Sequence, residues 1–248
     1  MIWVTGDLHG GETASHITSS NFSGKQGDIV LCMGDLGGVW YHDYHTNEEH
    51  RRQEDYFLES RLRKRFLWMA VDGNHENFAR LFGGGFPLLE IFGGRAYKIR
   101  EHVYYMKRGE VFNIEGKTFL AFGGAMSRDK NPGMVPNAYG KMRPWPGRTE
   151  GVNWWPEEVP GPEDLENAYR NLDKVGWKVD YVLSHTCPES MRPYFGAEGR
   201  PADPTESMLQ ELLTRGLIYS DWHFGHYHLD MRVERFVCHY KRVRSLNA

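Results

Sequence analysis

The chain has 248 residues, of which 40% are hydrophobic, 25% charged and 14% aromatic, the make-up of a water-soluble globular chain long enough to bury a substantial core as one domain. Its longest unbroken apolar run, Phe66 to Val71, is six residues, far below the roughly 20 that a membrane-spanning helix needs. Thirty basic against 33 acidic side chains leave a formal charge of −3, so there is no broad positive field to hold a nucleic-acid backbone, and such a substrate needs a local patch.

The start of the chain, Ile2-Trp3-Val4, has no basic stretch leading into an apolar segment and a small-residue cleavage site, so the expected location is the cytoplasm. Cys32, Cys187 and Cys238 are odd in number and widely spaced, which argues against a disulfide framework or a thiolate zinc site. Cys187 reads as a buried thiol.

Three apolar segments, Ile2 to Thr5, Ile29 to Met33 and Phe66 to Val71, each run into a turn bearing Gly and Asp, and read as buried strands. Thr46-Asn47-Glu48-Glu49 has a capping-box pattern and opens a surface helix reaching towards Arg65, with the charge run 61 to 65 as its solvated face. From Leu88 to Ala125, short alternating runs punctuated by Gly93-Gly94, Arg108-Gly109 and Glu115-Gly116 predict antiparallel hairpins. The segment 131 to 160 packs six Pro, four Gly and the three tryptophans Trp145, Trp154 and Trp155 without helical or strand period, and reads as a long ordered loop. Leu165, Tyr169, Leu172 and Val175 predict a helix over 162–175 with Gly176 at its stop. A second helix follows Asp203-Pro204-Thr205-Glu206, with Met208, Leu209, Leu212 and Leu213 as its apolar face. Strands are predicted at 179–184, 218–224 and 231–240.

Five places put metal-binding side chains just after an apolar strand: Asp7-Leu8-His9, Gly34-Asp35, Gly73-Asn74-His75-Glu76, Ser184-His185 and Gly225-His226-Tyr227-His228. Each is weak alone. Strand ends in α/β sheets are where ligands bind, and separate ends can deliver their side chains to one spot. The set is mixed nitrogen and oxygen, suited to Zn, Mn or Fe, with no thiolate.

In that order, DxH, GD, GNHE, H and GHxH resemble the calcineurin-like metallophosphoesterase superfamily. The motifs run from Asp7 to His228 and bracket nearly the whole chain. The resemblance implies an α/β fold, a double β-sheet sandwich flanked by helices on both sides in four layers, formed by residues 1–248 as a single domain with a Trp/Pro-rich insertion at about 127–160. It implies two divalent ions (Mn, Fe, Zn or Ni): Asp7, His9 and His228 on the first, Asn74, His185 and His226 on the second, Asp35 bridging, and His75 catalytic rather than a ligand. The implied activity is that of a phosphatase or phosphodiesterase: hydrolysis of a phosphorylated substrate by a metal-bridging hydroxide, with His75 assisting the leaving group. Two cations roughly 3.5–4 Å apart suit in-line attack on phosphorus, and with only Asp7 and Asp35 anionic the loaded site is net positive, favouring an anionic ester.

Gly6-Asp7-Leu8-His9-Gly10 and the GNHE are similar to the protein Ser/Thr phosphatase branch. That branch has an Asp-Arg pair where this chain has Leu36-Gly37-Gly38, and Gly-Gly where His185 is followed by Thr186-Cys187-Pro188. Ser127-Arg128-Asp129-Lys130, Arg148-x-x-Gly151 and Trp154-Trp155-Pro156-Glu157-Glu158 resemble small bacterial and phage-encoded members. Arg80, Arg128, Lys130 and Arg148 are candidate phosphate clamps and Trp154 a candidate substrate contact; ordinary surface charge and loop packing are the alternatives. His42 and His45 read as surface histidines. A non-catalytic binding scaffold on the same fold is the competing function, but such decay should have removed His75 or a ligand, and every position is intact. A metallo-β-lactamase layout would show HxHxDH, which does not occur.

Overall fold

The computed structural model describes residues 1–11, 17, 22–136 and 141–246. Two large sheets carry the architecture. In chain order their strands are β1 (Ile2–Thr5), β2 (Ile29–Met33), β3 (Leu67–Val71), β4 (Leu88–Ile91), β5 (Gly94–Arg100), β6 (Val103–Met106), β7 (Glu110–Ile114), β8 (Lys117–Phe122), β11 (Tyr181–Ser184), β12 (Asp221–Phe224), β13 (Met231–Val233), β14 (Phe236–Cys238) and β15 (Arg244–Ser245); β9 (Gly133–Pro136) and β10 (Met142–Trp145) pair only with each other. The seven-stranded sheet has the order β15-β1-β2-β3-β6-β5-β4 and the six-stranded sheet the order β13-β14-β12-β11-β8-β7. Within them β1, β2, β3 and β6 run parallel, as do β8, β11, β12 and β14.

Alternation along each strand divides the core into three layers of side chains. From β2, Ile29, Leu31 and Met33 meet Phe112, Phe119, Ala121 and Leu183 between the sheets. Val30 and Cys32 face the other way, onto Phe57, Leu58 and Leu62. On the outer face of the second sheet, Leu120, Phe122, Val182 and Trp222 pack on Ala168, Leu172, Leu209 and Leu212. Those residues come from α3 (Pro162–Lys174) and α4 (Pro204–Thr214), whereas α1 (Glu48–Tyr56) and α2 (Phe78–Leu81) belong to the first half of the chain. The result is the four-layer sandwich expected, each fully buried Leu or Phe contributing roughly 1.5–3 kcal/mol.

Local chemistry explains the boundaries. Asn47, one residue beyond the expected Thr46, caps α1, its Oδ1 accepting from the N–H groups of Glu49 and His50. The helix changes to a π turn over Phe57–Arg61 and stops short of Arg65. Asp203 and Glu206 form the reciprocal box that starts α4. The hairpins at Phe92-Gly93 and Glu115-Gly116 have positive φ at both central residues, the type I′ geometry that matches strand twist. Arg108-Gly109 is not a hairpin: it carries the chain from β6 in one sheet to β7 in the other.

The segment expected to be a loop without strands holds the ribbon β9–β10. Met134 and Met142 on it are exposed, so no face is buried and no period of two is imposed on the sequence; Pro136 and Pro144 are tolerated because an isolated ribbon is all edge. Residues 137–140 of that segment lie outside the described residues.

Candidate metal centre

All five motifs follow the C-terminal ends of parallel strands, β1, β2 and β3 from one sheet and β11 and β12 from the other. Beyond the strands the pairing continues: Asp7 N–H donates to Gly34 O (3.1 Å), His9 N–H to Asp35 O (2.8 Å) and Gly225 N–H to His185 O (2.9 Å). Close approach demands glycine at several points, Gly34 and Gly73 among them. A Cβ on Gly34 would lie 2.2 Å from His185 Nδ1, and one on Gly73 would lie 2.1 Å from Asp35 Oδ1.

The seven predicted ligand side chains converge. Asp7, His9 and His228 bring donor atoms within 4.8 Å of one another, with His9 Nε2 3.2 Å from His228 Nε2 and His228 Nε2 3.5 Å from Asp7 Oδ1. A second group surrounds Asn74 Oδ1, which is 3.2 Å from His185 Nε2 and 3.0 Å from His226 Nδ1. Asp35 Oδ2 stands between the groups, 3.8 Å from His9 Nε2 and 3.4 Å from His185 Nε2. Its other oxygen accepts the backbone N–H of His75 (2.8 Å). Asp7, Asp35, Asn74 and His185 are buried, whereas His228 is half exposed and stacks on Tyr240 with centroids 4.5 Å apart.

Several contacts aim the donors. His185 Nδ1–H donates to Met33 O (2.7 Å), which leaves Nε2 for a metal. Asn74 donates its amide to Ser127 Oγ (3.2 Å), and Ser127 Oγ–H in turn donates to Glu158 (2.8 Å), so the amide oxygen faces the two histidines. Ser127 gave no such signal in the sequence, because a serine 53 residues away orients the amide only through the fold. The strain of the site is local: Asp7, His9, Asp35, His226 and His228 have φ between 47° and 67°, each costing roughly 1–2 kcal/mol for a residue with a Cβ.

Electrostatics follow from the crowding. Burial alone would raise the Asp35 carboxyl, but His185 and His75 hold it well below the usual range. Burial likewise opposes charge on His185, and Asp35, seconded by Asp7, overrides it and lifts the imidazole to about 10. Two buried anions among four imidazoles and an amide oxygen are a donor set suited to divalent ions of the Zn, Mn and Fe type.

His75 lies at the rim. Its ring meets His9 edge-on (4.8 Å) and Trp40 at 5.5 Å, and Arg148 Nη2 is 3.4 Å from its Nε2. Its donor atoms also fall within 4.8 Å of those of His9 and Asp35. Burial pushes its pKa down to about 4. Among the described residues no carboxylate hydrogen-bonds to its ring.

Of the four cations singled out, Arg148 alone faces this histidine, held by Asp129 Oδ1 (2.6 Å) and Asn153 O (3.0 Å). Arg80 instead makes a two-pronged ion pair with buried Glu54 (2.8 and 2.7 Å) and donates to Tyr41 O. Arg128 reaches Pro201 O and Glu206, and Lys130 binds Glu158 while lying 4.1 Å over the Trp154 ring. Trp155 is buried, and His42 and His45 are exposed. Beside His9, His75 and Arg148 opens a cavity of about 580 Å³ whose walls include Trp40 and Trp145.

The family model of the calcineurin-like phosphoesterases matches residues 1–204. The chain belongs to that family. The match ends before His226 and His228, and it is the fold that brings this last motif back to the other four. No curated protein matches the sequence. Membership makes the chain a metal-dependent phosphoesterase acting on a phosphorylated substrate, and no helix among the described residues is long and apolar enough to cross a membrane.

Proposed function

We propose that the chain holds two divalent cations, Mn, Fe, Zn or Ni, and hydrolyses a phosphoester between them and His75. The observation that carries this reading is the position of Asp35 Oδ2, within 3.8 Å of an imidazole nitrogen of each donor group. Asp7, His9 and His228 would hold one cation, Asn74, His185 and His226 the other, with Asp35 shared. When bound, such a pair lowers the pKa of a shared water and takes up the charge that develops on phosphoryl oxygens.

The chain's own groups supply the rest. Arg148 and His75 stand together where a phosphoryl oxygen and the leaving oxygen would lie, and a donor fixed there stabilises charge as it develops without reorganising. Asp129 and Asn153 keep the guanidinium in place, and the Asp35 contact to the His75 N–H fixes the turn that carries the imidazole. A cytoplasmic setting suits the three cysteines, which are all free and buried.

Elemental analysis of purified protein and of Asp35→Asn tests the reading. Two ions per chain are expected in the parent and fewer than one in the variant, with hydrolysis of generic esters lost together with the metal. A single ion, unchanged in Asp35→Asn, refutes the dinuclear arrangement.

A further inference from the structure

We propose that the cavity beside His75 is a subsite for the base of a mononucleotide, so that the leaving group is a nucleoside. This rests on the phosphoesterase reading above and names its substrate. The cavity, about 580 Å³, is of the size that encloses small organic ligands. His9, His75 and Arg148 form one end, and the body is walled by Trp40, Tyr41, Tyr56, Phe57 and Trp145. Five of its fourteen lining residues are thus Trp, Tyr or Phe, against 14% of the chain.

Those rings are fixed in place. Trp40 runs on from His75 at a tilt of 31° and is braced edge-on by buried Trp155, centroids 6.1 Å apart. Its backbone N–H and that of Tyr41 both donate to Glu54 (2.9 and 3.3 Å), the carboxylate that Arg80 grips. Tyr41 stacks on His50 at 4.1 Å. Trp145 donates its Nε1–H to Asp129 O (2.6 Å), and the same Asp129 holds Arg148. One residue therefore positions both an aromatic wall and the cation beside His75. Tyr56 is 58% exposed at the cavity's edge, where a large ring in contact with water needs a reason.

Of the polar side chains in the body of the cavity, Arg61 lies over the Tyr56 ring at 5.8 Å, while Gln53 and Glu54 are engaged with their neighbours. Gln53 Oε1 accepts from the Tyr41 hydroxyl (2.5 Å) and its amide donates to Glu49 (2.8 Å), while Glu54 is saturated by Arg80 and two backbone N–H groups. A sugar or peptide hydroxyl finds few partners there, whereas a flat heteroaromatic ring stacks on Trp40 and Trp145. Stacking distinguishes base from no base more than one base from another. The slight negative charge of the chain favours a small ligand over a polyanion. In the reaction a water oxygen joins phosphorus, and the bond from phosphorus to the nucleoside oxygen breaks. That oxygen leaves with the electron pair and takes up one proton of the water, giving a nucleoside and inorganic phosphate.

The test compares kcat/KM of the metal-loaded protein for 5′-AMP, 5′-CMP, glycerol phosphate, a 5′-phosphorylated oligonucleotide and a phosphoserine peptide, alongside quenching of tryptophan fluorescence by adenosine, which carries no phosphate. Expected are a preference of at least about tenfold for AMP over glycerol phosphate, and CMP within about tenfold of AMP. Trp145→Leu should reduce the preference for AMP over glycerol phosphate roughly 5- to 150-fold and weaken the saturable quench by adenosine. Tyr56→Ser, at a position 58% exposed, should reduce the same ratio. Equal use of AMP and glycerol phosphate, a ratio unmoved in both variants, or a preference for the oligonucleotide or the peptide overturns the proposal. If no ester is hydrolysed but adenosine still quenches, the subsite stands and the hydrolase reading fails. Hydrolysis without preference or quench is the reverse.

Discussion

Replacing Gly34 by alanine separates two costs that the strand-end turns impose. Gly34 has φ +83° and its added Cβ would meet His185 Nδ1, Cγ and Cβ at 2.2, 2.5 and 2.8 Å. Gly27 has nearly the same backbone, φ +86°, but a Cβ there meets nothing within 4 Å. Gly27→Ala therefore measures left-handed strain alone, about 1–2 kcal/mol, or a fall in Tm of roughly 2–8 °C for a chain of this size. Gly34→Ala adds a collision with a buried ring that is pinned by Met33 O, worth about 1–3 kcal/mol more. The combined fall should be roughly 4–20 °C. Because the ring pushed aside is a proposed ligand, the variant should also bind less metal, whereas Gly27→Ala should keep its full complement. Calorimetric melts of both variants, with metal in excess and after chelation, provide the measurement. Equal melting temperatures for the two variants, with metal retained in both, would refute the argument that Gly34 exists to admit His185.

His75→Gln should keep both ions and lower kcat by roughly 10²- to 10⁴-fold, less for esters with good leaving groups; loss of an ion on elemental analysis would make His75 a ligand instead. Adding metal back to chelated protein at about 100 times its Kd should raise stability by about 2.7 kcal/mol, read as a Tm increase of roughly 5–11 °C; no shift would mean that the donor cluster does not bind the ion. Arg80→Met strands buried Glu54 and should cost about 3–5 kcal/mol in urea denaturation, marking Arg80 as a residue that holds the Trp40–Tyr41 segment; unchanged stability with a raised KM for every ester would restore it as a phosphate clamp.

Strand ends were the legible part of this molecule. A short apolar run followed by Gly and a ligand is a local pattern, so β1, β2, β3, β11 and β12 and the side chains after them could be read from sequence in order, and the two capped helices α3 and α4 likewise. What escaped was pairwise and distant. Nothing near Arg80 announces that Glu54, 26 residues earlier, will claim it, and nothing near Asn74 points to Ser127. Trp40 looks like any tryptophan in a loop until Trp155 and His75 close on it. The β9–β10 ribbon was missed because a strand pair with no buried face writes no period into its sequence.

His9 and His228 stand 3.2 Å apart yet are separated by 219 positions, and the proposed ligands come from both sheets. This fixes an order of events during synthesis. The four parallel strands of the first sheet are complete at Met106, but at about 5–20 residues per second the ribosome needs several more seconds to deliver His226 and His228. When that interval begins, Asp7 and Asp35 face an edge with three of its four imidazoles (His185, His226 and His228) not yet made, and the free side of β1 waits for Arg244–Ser245 to cover it. With the proposed ligand set, ion capture is consequently a late step, open only to chains that have been made almost to the end. A polypeptide released early keeps its first sheet's hydrophobic strands but lacks the strand ends of the second sheet that meet them at the proposed metal centre, and it is therefore the form most exposed to aggregation and proteolysis.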